Sequence, residues 1–331
     1  TTTQTNIGVD YAFFDNTLYG SAEYYIKSTK DILIRPAYLA IVGEGGDRWS
    51  NGASMENKGF EVLLGYRDAT SFGLKYDITA NISGFRNKVT HLPEDVQNSY
   101  GGREGDNILG RPIGSFYGYV ADGIFRTQDE VDNHVGQDGK AVGRIRYKNV
   151  YEEDGKNEIN AMDQTWIGNP FPDFSYGLNI NLEYKNFDMS MFFQGVQGMD
   201  IVNGVKYQTD FWSVDDVNSN KGRRVLDAFH PVTNPDSDIP MLQNTNSNNE
   251  GRFSTYYVED GSYLKVRNVQ LGYTLPKSTL SKLNIEKLRF YISGQNLFTI
   301  HSNKFTGVDP ESPGFGYPIP MISTIGLNLT F

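Results

Sequence analysis

The sequence has no cysteine, which removes disulfides and thiolate metal sites from consideration. Histidine is nearly as scarce, at four residues: His91, His134, His230 and His301. All four fall in segments that read as loops, and none stands beside a serine or aspartate in a nucleophile arrangement. There is no G-x-S-x-G elbow and no H-E-x-x-H pair, so nothing points to an enzyme. Basic residues are outnumbered, 30 Lys and Arg against 40 Asp and Glu, for a net charge of -10. A nucleic-acid partner would call for the opposite balance. No apolar run approaches the roughly 20 residues a membrane helix needs.

What the chain has instead is tyrosine, phenylalanine and glycine: 21, 20 and 35 residues among 331. That mixture suits strands that meet lipid with alternate side chains and carry aromatics at the interfaces. The alternation is visible directly. From Phe174 to Lys185, Phe174, Tyr176, Leu178, Ile180, Leu182 and Tyr184 take one face, and Ser175, Gly177, Asn179, Asn181, Glu183 and Lys185 the other. The same period runs through Ile7–Phe13, Leu18–Ile26, Phe60–Tyr66, Leu74–Ile82, Phe187–Phe193 and Leu288–Ile292. Between Tyr263 and Leu275 the phase slips, which predicts a β-bulge near Arg267-Asn268. The chain ends on a ninth such segment, with Met321, Ile325, Leu327, Leu329 and Phe331 on one side.

The links between these segments alternate, short after the first, third, fifth and seventh and long after the second, fourth, sixth and eighth. Short turns on one side and long loops on the other are the asymmetry of outer-membrane barrels. The expected fold is therefore all-β: about nine strands of a transmembrane antiparallel β-barrel with long extracellular loops. Polar strand faces, including Glu23, Glu61, Lys75, Asp77, Asn179, Asn181 and Gln295, are expected to face the lumen. Thr127 to Glu130 predicts a capped helix start, Arg223 to Phe229 a second short helix, and Pro231 to Glu250 an irregular loop. A last strand running inward, counted back through nine, leaves the first also running inward. Antiparallel closure then calls for an odd number of further strands, expected before Thr1.

Six motifs in order give a resemblance. Met55-Glu56-Asn57-Lys58-Gly59-Phe60-Glu61, Ile108 to Phe125, Trp166-Ile167-Gly168-Asn169-Pro170-Phe171-Pro172, Gly261 to Val269, Asn296-Leu297-Phe298 and Gly307-Val308-Asp309-Pro310-Glu311 are similar to the C-terminal third of the SusC/RagA family of TonB-dependent outer-membrane transporters. The resemblance implies a 22-stranded barrel in the outer membrane of a Gram-negative bacterium. Residues 1–331 would be its C-terminal part, with the plug domain and the earlier strands lying outside them. It also implies a surface lipoprotein of the SusD type, the TonB complex acting through the N-terminal region, and uptake of an oligosaccharide or a peptide. A barrel that binds or adheres without transporting is the alternative. Phe331 would belong to the signal read by the barrel-assembly machinery, and would otherwise be one more lipid-facing aromatic.

Two candidate sites follow. Relatives carry an acidic run spaced to wrap Ca²⁺, and here its counterparts are Asn149, Asp154 and Asp163. An insertion and Tyr151 disturb the spacing, so the segment reads as a solvated turn, with calcium as the alternative. No other cofactor is indicated. Loop aromatics Trp49, Tyr100, Trp166, Phe211 and Trp212 could stack on substrate, or could sit in the interfacial girdle or pin the loops together. Loop carboxylates such as Asp215, Asp216 and Asp236 read as solvated surface.

Overall fold

The computed structural model describes residues 1–34, 49–97, 106–152, 155–211, 220–243, 249–280 and 285–331. Nine long strands form one sheet: β1 (Thr2–Phe13), β2 (Leu18–Ile34), β3 (Ser50–Ala69), β4 (Leu74–His91), β5 (Phe174–Tyr184), β6 (Phe187–Gln197), β7 (Tyr263–Thr274), β8 (Lys287–His301) and β9 (Ile322–Thr330). Each pairs antiparallel with the next in chain order, an up-and-down wall with no crossover. No helix among the described residues is long and apolar enough to cross a membrane.

Why these residues form a wall is legible in the register. Leu18 pairs with Tyr66, Ala22 with Val62 and Tyr24 with Phe60, so apolar side chains stack on one face across strands. Along that face Ile7, Val9, Leu64, Ile292, Leu327 and Ile325 stay exposed, Ile325 at 87%. A one-residue slip would send every one of them to the polar face, so the apolar face itself fixes the pairing. The expected bulge is present: Phe192 pairs with Asn268 and Phe193 with Val266, which leaves Arg267 as the extra residue.

The short links all lie at one end. There the outer face carries a row of aromatics: Phe13 on β1, Tyr66 on β3, Tyr184 opposite Phe187, Phe187 opposite Tyr273, and Tyr273 opposite Phe290. Tyr66 stacks on Tyr76 at 5.9 Å and Phe187 lies 4.7 Å from Tyr273. The long links all leave from the other end, and the described parts of those after β4 and β8 bond to the polar face, Ile113 to Asn87 and Glu311 to Lys265. That face is therefore the inner one.

The loops have a core of their own, built on Ile145, Tyr147, Ile159, Phe211 and Tyr257. Tyr207 stacks on Tyr257 at 3.8 Å. Thr127 caps the helix Gln128–Asn133 through its hydroxyl, as its sequence predicts, and Arg223–Asp227 winds as a 3₁₀ turn.

Candidate functional site: the inner wall and its loop roof

The inner face is polar by alternation, and two of its contacts reach across three strands. The Tyr19 hydroxyl on β2 donates to Asp77 Oδ1 on β4 at 3.0 Å and lies 3.0 Å from the Thr79 hydroxyl. Its ring passes over Gly65 of β3, the residue paired to Tyr19 on one side and to Thr79 on the other. A Cβ at Gly65 would collide with that ring. On the far side of the sheet, Arg289 of β8 donates from Nε to Asp188 Oδ1 of β6 at 2.9 Å and makes a second bond to Oδ2. This pair crosses Gly272 of β7, where a Cβ would strike the guanidinium. Glycine is needed in both places because a polar strap runs directly over its backbone. Between the straps a recess of about 440 Å³ is lined by Glu61, Asn81, Ser83, Ser175, Phe192 and Gln194.

Above the wall, buried charges hold the roof. Lys265, 2% exposed, donates from Nζ to both oxygens of Asp309 at 2.8 Å and to Glu311 Oε2 at 2.6 Å. Tyr263 donates to Glu311 Oε1 at 2.6 Å, and Arg267, placed by the bulge, bonds both Glu311 and Gln194. The link after β8 is thus pinned to the inner side of β7 and, through Arg267, tied to β6. A second cluster ties the link after β6 to the same segment. Lys206 lies 2.7 Å from Glu259, which also accepts from the Thr306 amide at 2.9 Å, its hydroxyl at 2.6 Å and Asn203 Nδ2 at 3.0 Å. Asp210, fully buried, takes bonds from Arg224 and from the Tyr256 hydroxyl.

Burial raises the pKa of Glu259, but the Lys206 ammonium and the Thr306 donors outweigh it and hold the carboxyl below its ordinary range. Glu311 behaves likewise, burial opposed by bonds from Lys265, Tyr263 and Arg267. Burial pushes the phenols of Tyr147 and Tyr257 upward, so both stay neutral. A third pair, Arg144 and Glu250, lies almost wholly buried at 2.6 Å. These charges organise loops; each is spoken for by a partner, and none is arranged as an acid and base about a cleft.

The residues singled out in the sequence divide. Trp49, 56% exposed, immediately precedes β3. Trp166 is held: its indole donates to Asp106 Oδ1 at 2.7 Å, Tyr117 lies 4.9 Å away and the Arg111 guanidinium 4.8 Å over the ring. Phe211, read as an exposed loop aromatic, is instead 3% exposed in the loop core, because sequence position alone does not separate a loop's surface from its interior. Tyr100, Trp212, Asp154, Asp215 and Asp216 lie outside the described residues. Phe331 is 84% exposed.

Asp163 is buried and accepts three backbone N–H groups: Val150 at 2.8 Å and Tyr151 at 3.2 Å on Oδ1, and Asn160 at 2.8 Å on Oδ2. It closes a capping box over Ala161–Asp163. Asn149 Oδ1 is buried nearby in sequence without a hydrogen-bond partner. No group of three or more acidic or histidine side chains suited to a metal occurs among the described residues. The two charged networks, by contrast, escaped sequence reasoning. Their one signal was that Lys265 and Glu311 both lie within recognisable motifs.

Comparison with known proteins gives a consistent set of similarities. No protein-family model matches the chain. TonB-dependent receptor P3 of Formosa agariphila is 32% identical over 357 residues, covering all of this chain and 34% of the receptor. TonB-dependent receptor SusC of Bacteroides thetaiotaomicron is 26% identical over 342 residues, again the whole chain, and 32% of that protein. Among solved structures, the RagAB peptide transporter superposes with a TM-score of 0.78 at 24% identity, over the whole chain and 35% of the other. The chain spans about a third of the length of these relatives.

Proposed function

We propose that this chain, homologous over its whole length to TonB-dependent receptors of the SusC type, forms wall and outer loops of a nutrient importer in a Gram-negative outer membrane. One observation carries the proposal: similarity over the whole of this chain to a third of such receptors coincides with a wall whose apolar face is exposed and whose polar face is roofed by its own loops. An exposed face of this kind needs lipid, and a polar inner face suits a water-filled or plugged lumen. Further strands, to about 22 in all by the plugged-transporter pattern, and a plug would complete the barrel.

In this reading the protein works by binding and translocation. The pinned loops form the rim of an outer vestibule, a SusD-type lipoprotein covers it, and the TonB complex acts through the N-terminal region. The cargo is an oligosaccharide or a peptide, and the likeness to the RagAB peptide transporter gives the second equal standing. Trp49, exposed at the rim, is offered to cargo, whereas Trp166 braces the loops. Asp163 acts as a backbone clasp, with its oxygens engaged by three amides.

Uptake of labelled oligosaccharide and peptide pools is the test, compared between cells with and without the receptor and with and without TonB. Accumulation that needs both supports the proposal. Surface binding that is indifferent to TonB would replace the importer with a binding or adhesin barrel.

A further inference from the structure

On β2, β3 and β4 the outer face is uncharged from the aromatic row at the short-turn end up to Tyr24 and Phe60. Leu18, Gly20, Ala22, Tyr24 and Ile26, then Tyr66, Leu64, Val62 and Phe60, then Tyr76, Ile78, Ala80, Ile82 and Gly84 occupy every outer position. On the next rungs the character changes at once. Lys58 pairs directly with Arg86, and Glu56 with Lys88. The side chains of Lys58 and Arg86 are 48% and 66% exposed. Tyr76 and Arg86 are ten residues apart on one strand, about 33 Å along it. At a tilt of about 40° this gives about 25 Å across the bilayer, the height of a lipid-facing apolar band. The cations therefore stand where acyl chains end and headgroups begin.

Like charges directly opposite on an antiparallel pair repel. Two carboxylates ease this in part: Glu56 at 2.8 Å from Lys58, and Asp173 at 2.7 Å from Arg86. Glu56 also faces Lys88 across the strands, so two carboxylates serve three cations, and neither lies between Lys58 and Arg86 on their shared rung. The lower border of the same three strands carries acids instead, Asp15 in the first turn and Asp68 on the outer face of β3. On the outer face of these three strands, cations thus stand only at the loop-side border.

We propose that Lys58, Arg86 and Lys88 form a seat for the phosphate groups of a phosphorylated glycolipid in the outer leaflet. A phosphate presents several strong acceptor oxygens and can bridge two cations that otherwise repel. The inference rests on the membrane orientation given under Proposed function.

The test uses the full-length receptor in nanodiscs of phosphatidylethanolamine containing either bis-phosphorylated lipid A or its dephosphorylated form. Retained lipid A is counted by native mass spectrometry. The parent should retain the phosphorylated form selectively. The triple variant K58Q/R86Q/K88Q should lose about fivefold in retention for each cation removed. The charge-preserving exchange K58R/R86K, and K75Q on the inner face, should retain it. Equal retention by the triple variant, or of dephosphorylated lipid by the parent, overturns the seat. Heat-dependent gel mobility of each variant reports a folded barrel, so loss of lipid with normal mobility is a loss of the seat. A parent that fails to enter bilayers at all would instead overturn the membrane reading.

Discussion

Glu259 shows how a loop over a β wall acquires a fixed shape. It is buried, yet it accepts from Lys206, Asn203 and both donors of Thr306, and its ionised form is favoured in place. Glu311 has the same standing under Lys265, Tyr263 and Arg267. A carboxyl whose pKa is depressed on folding contributes stability that is complete above its unfolded value, 4.5, and is lost as pH falls through the lower, folded value. The roof should therefore hold at neutral pH and loosen only below about pH 4.5. Hydrogen exchange of the segments 203–210 and 302–311 should accelerate together in that window, while the wall stays protected. Glu259→Gln should remove much of the pH response, and should itself cost about 3 kcal/mol because Lys206 is left buried without its carboxylate. Retention of full protection at pH 4 would contradict this account.

At the scale of elements, alternation made nearly all of the wall legible. It named the face of Glu61, Asp77, Asn181 and Gln295, located the bulge at Arg267 and separated short links from long ones, because a period of two is a local property. Pairings across elements were not legible. Nothing local to Lys265 announces Asp309, 44 residues on, and nothing local to Phe211 announces the loop core around Tyr257. The straps belong to this hidden class. Tyr19 over Gly65 to Asp77, and Asp188 to Arg289 over Gly272, each hold three strands at one register from the inner side. Gly65→Ala and Gly272→Ala should each cost about 1–3 kcal/mol by overpacking, despite the usual gain from replacing glycine in a strand. Tyr19→Phe keeps the ring and should cost about 1 kcal/mol for the lost bond. Urea midpoints of the barrel refolded in detergent would order these variants. A stabilising Gly272→Ala would show that the strap does not constrain the wall.

At the largest scale, the nine long strands of the described residues make an open arc. Among the described residues β1 and β9 each have a strand on one side only, and an unpaired strand edge inside a bilayer would leave several kcal/mol of unmet hydrogen bonding per group. In the importer reading proposed above, other strands would close the arc in the membrane, and its two faces would then part company completely, one to lipid and one to the lumen. Because the chain has no cysteine, that separation can be read by introducing one at a time. Cysteines replacing Leu178, Ile180 and Ile292 should react poorly with a charged thiol reagent and should be quenched, once labelled with a fluorophore, by nitroxide on the acyl chains. Those replacing Asn179, Asn181 and Ser293, one residue away, should show the reverse wherever the lumen is wet. Lysine at Ile180 or Ile292 should destabilise the barrel by about 2–4 kcal/mol, and lysine at Asn179 by little, since only the first two positions face hydrocarbon. A labelling pattern without the two-residue period, or equal tolerance of lysine on both faces, would mean that the apolar face meets protein and not lipid.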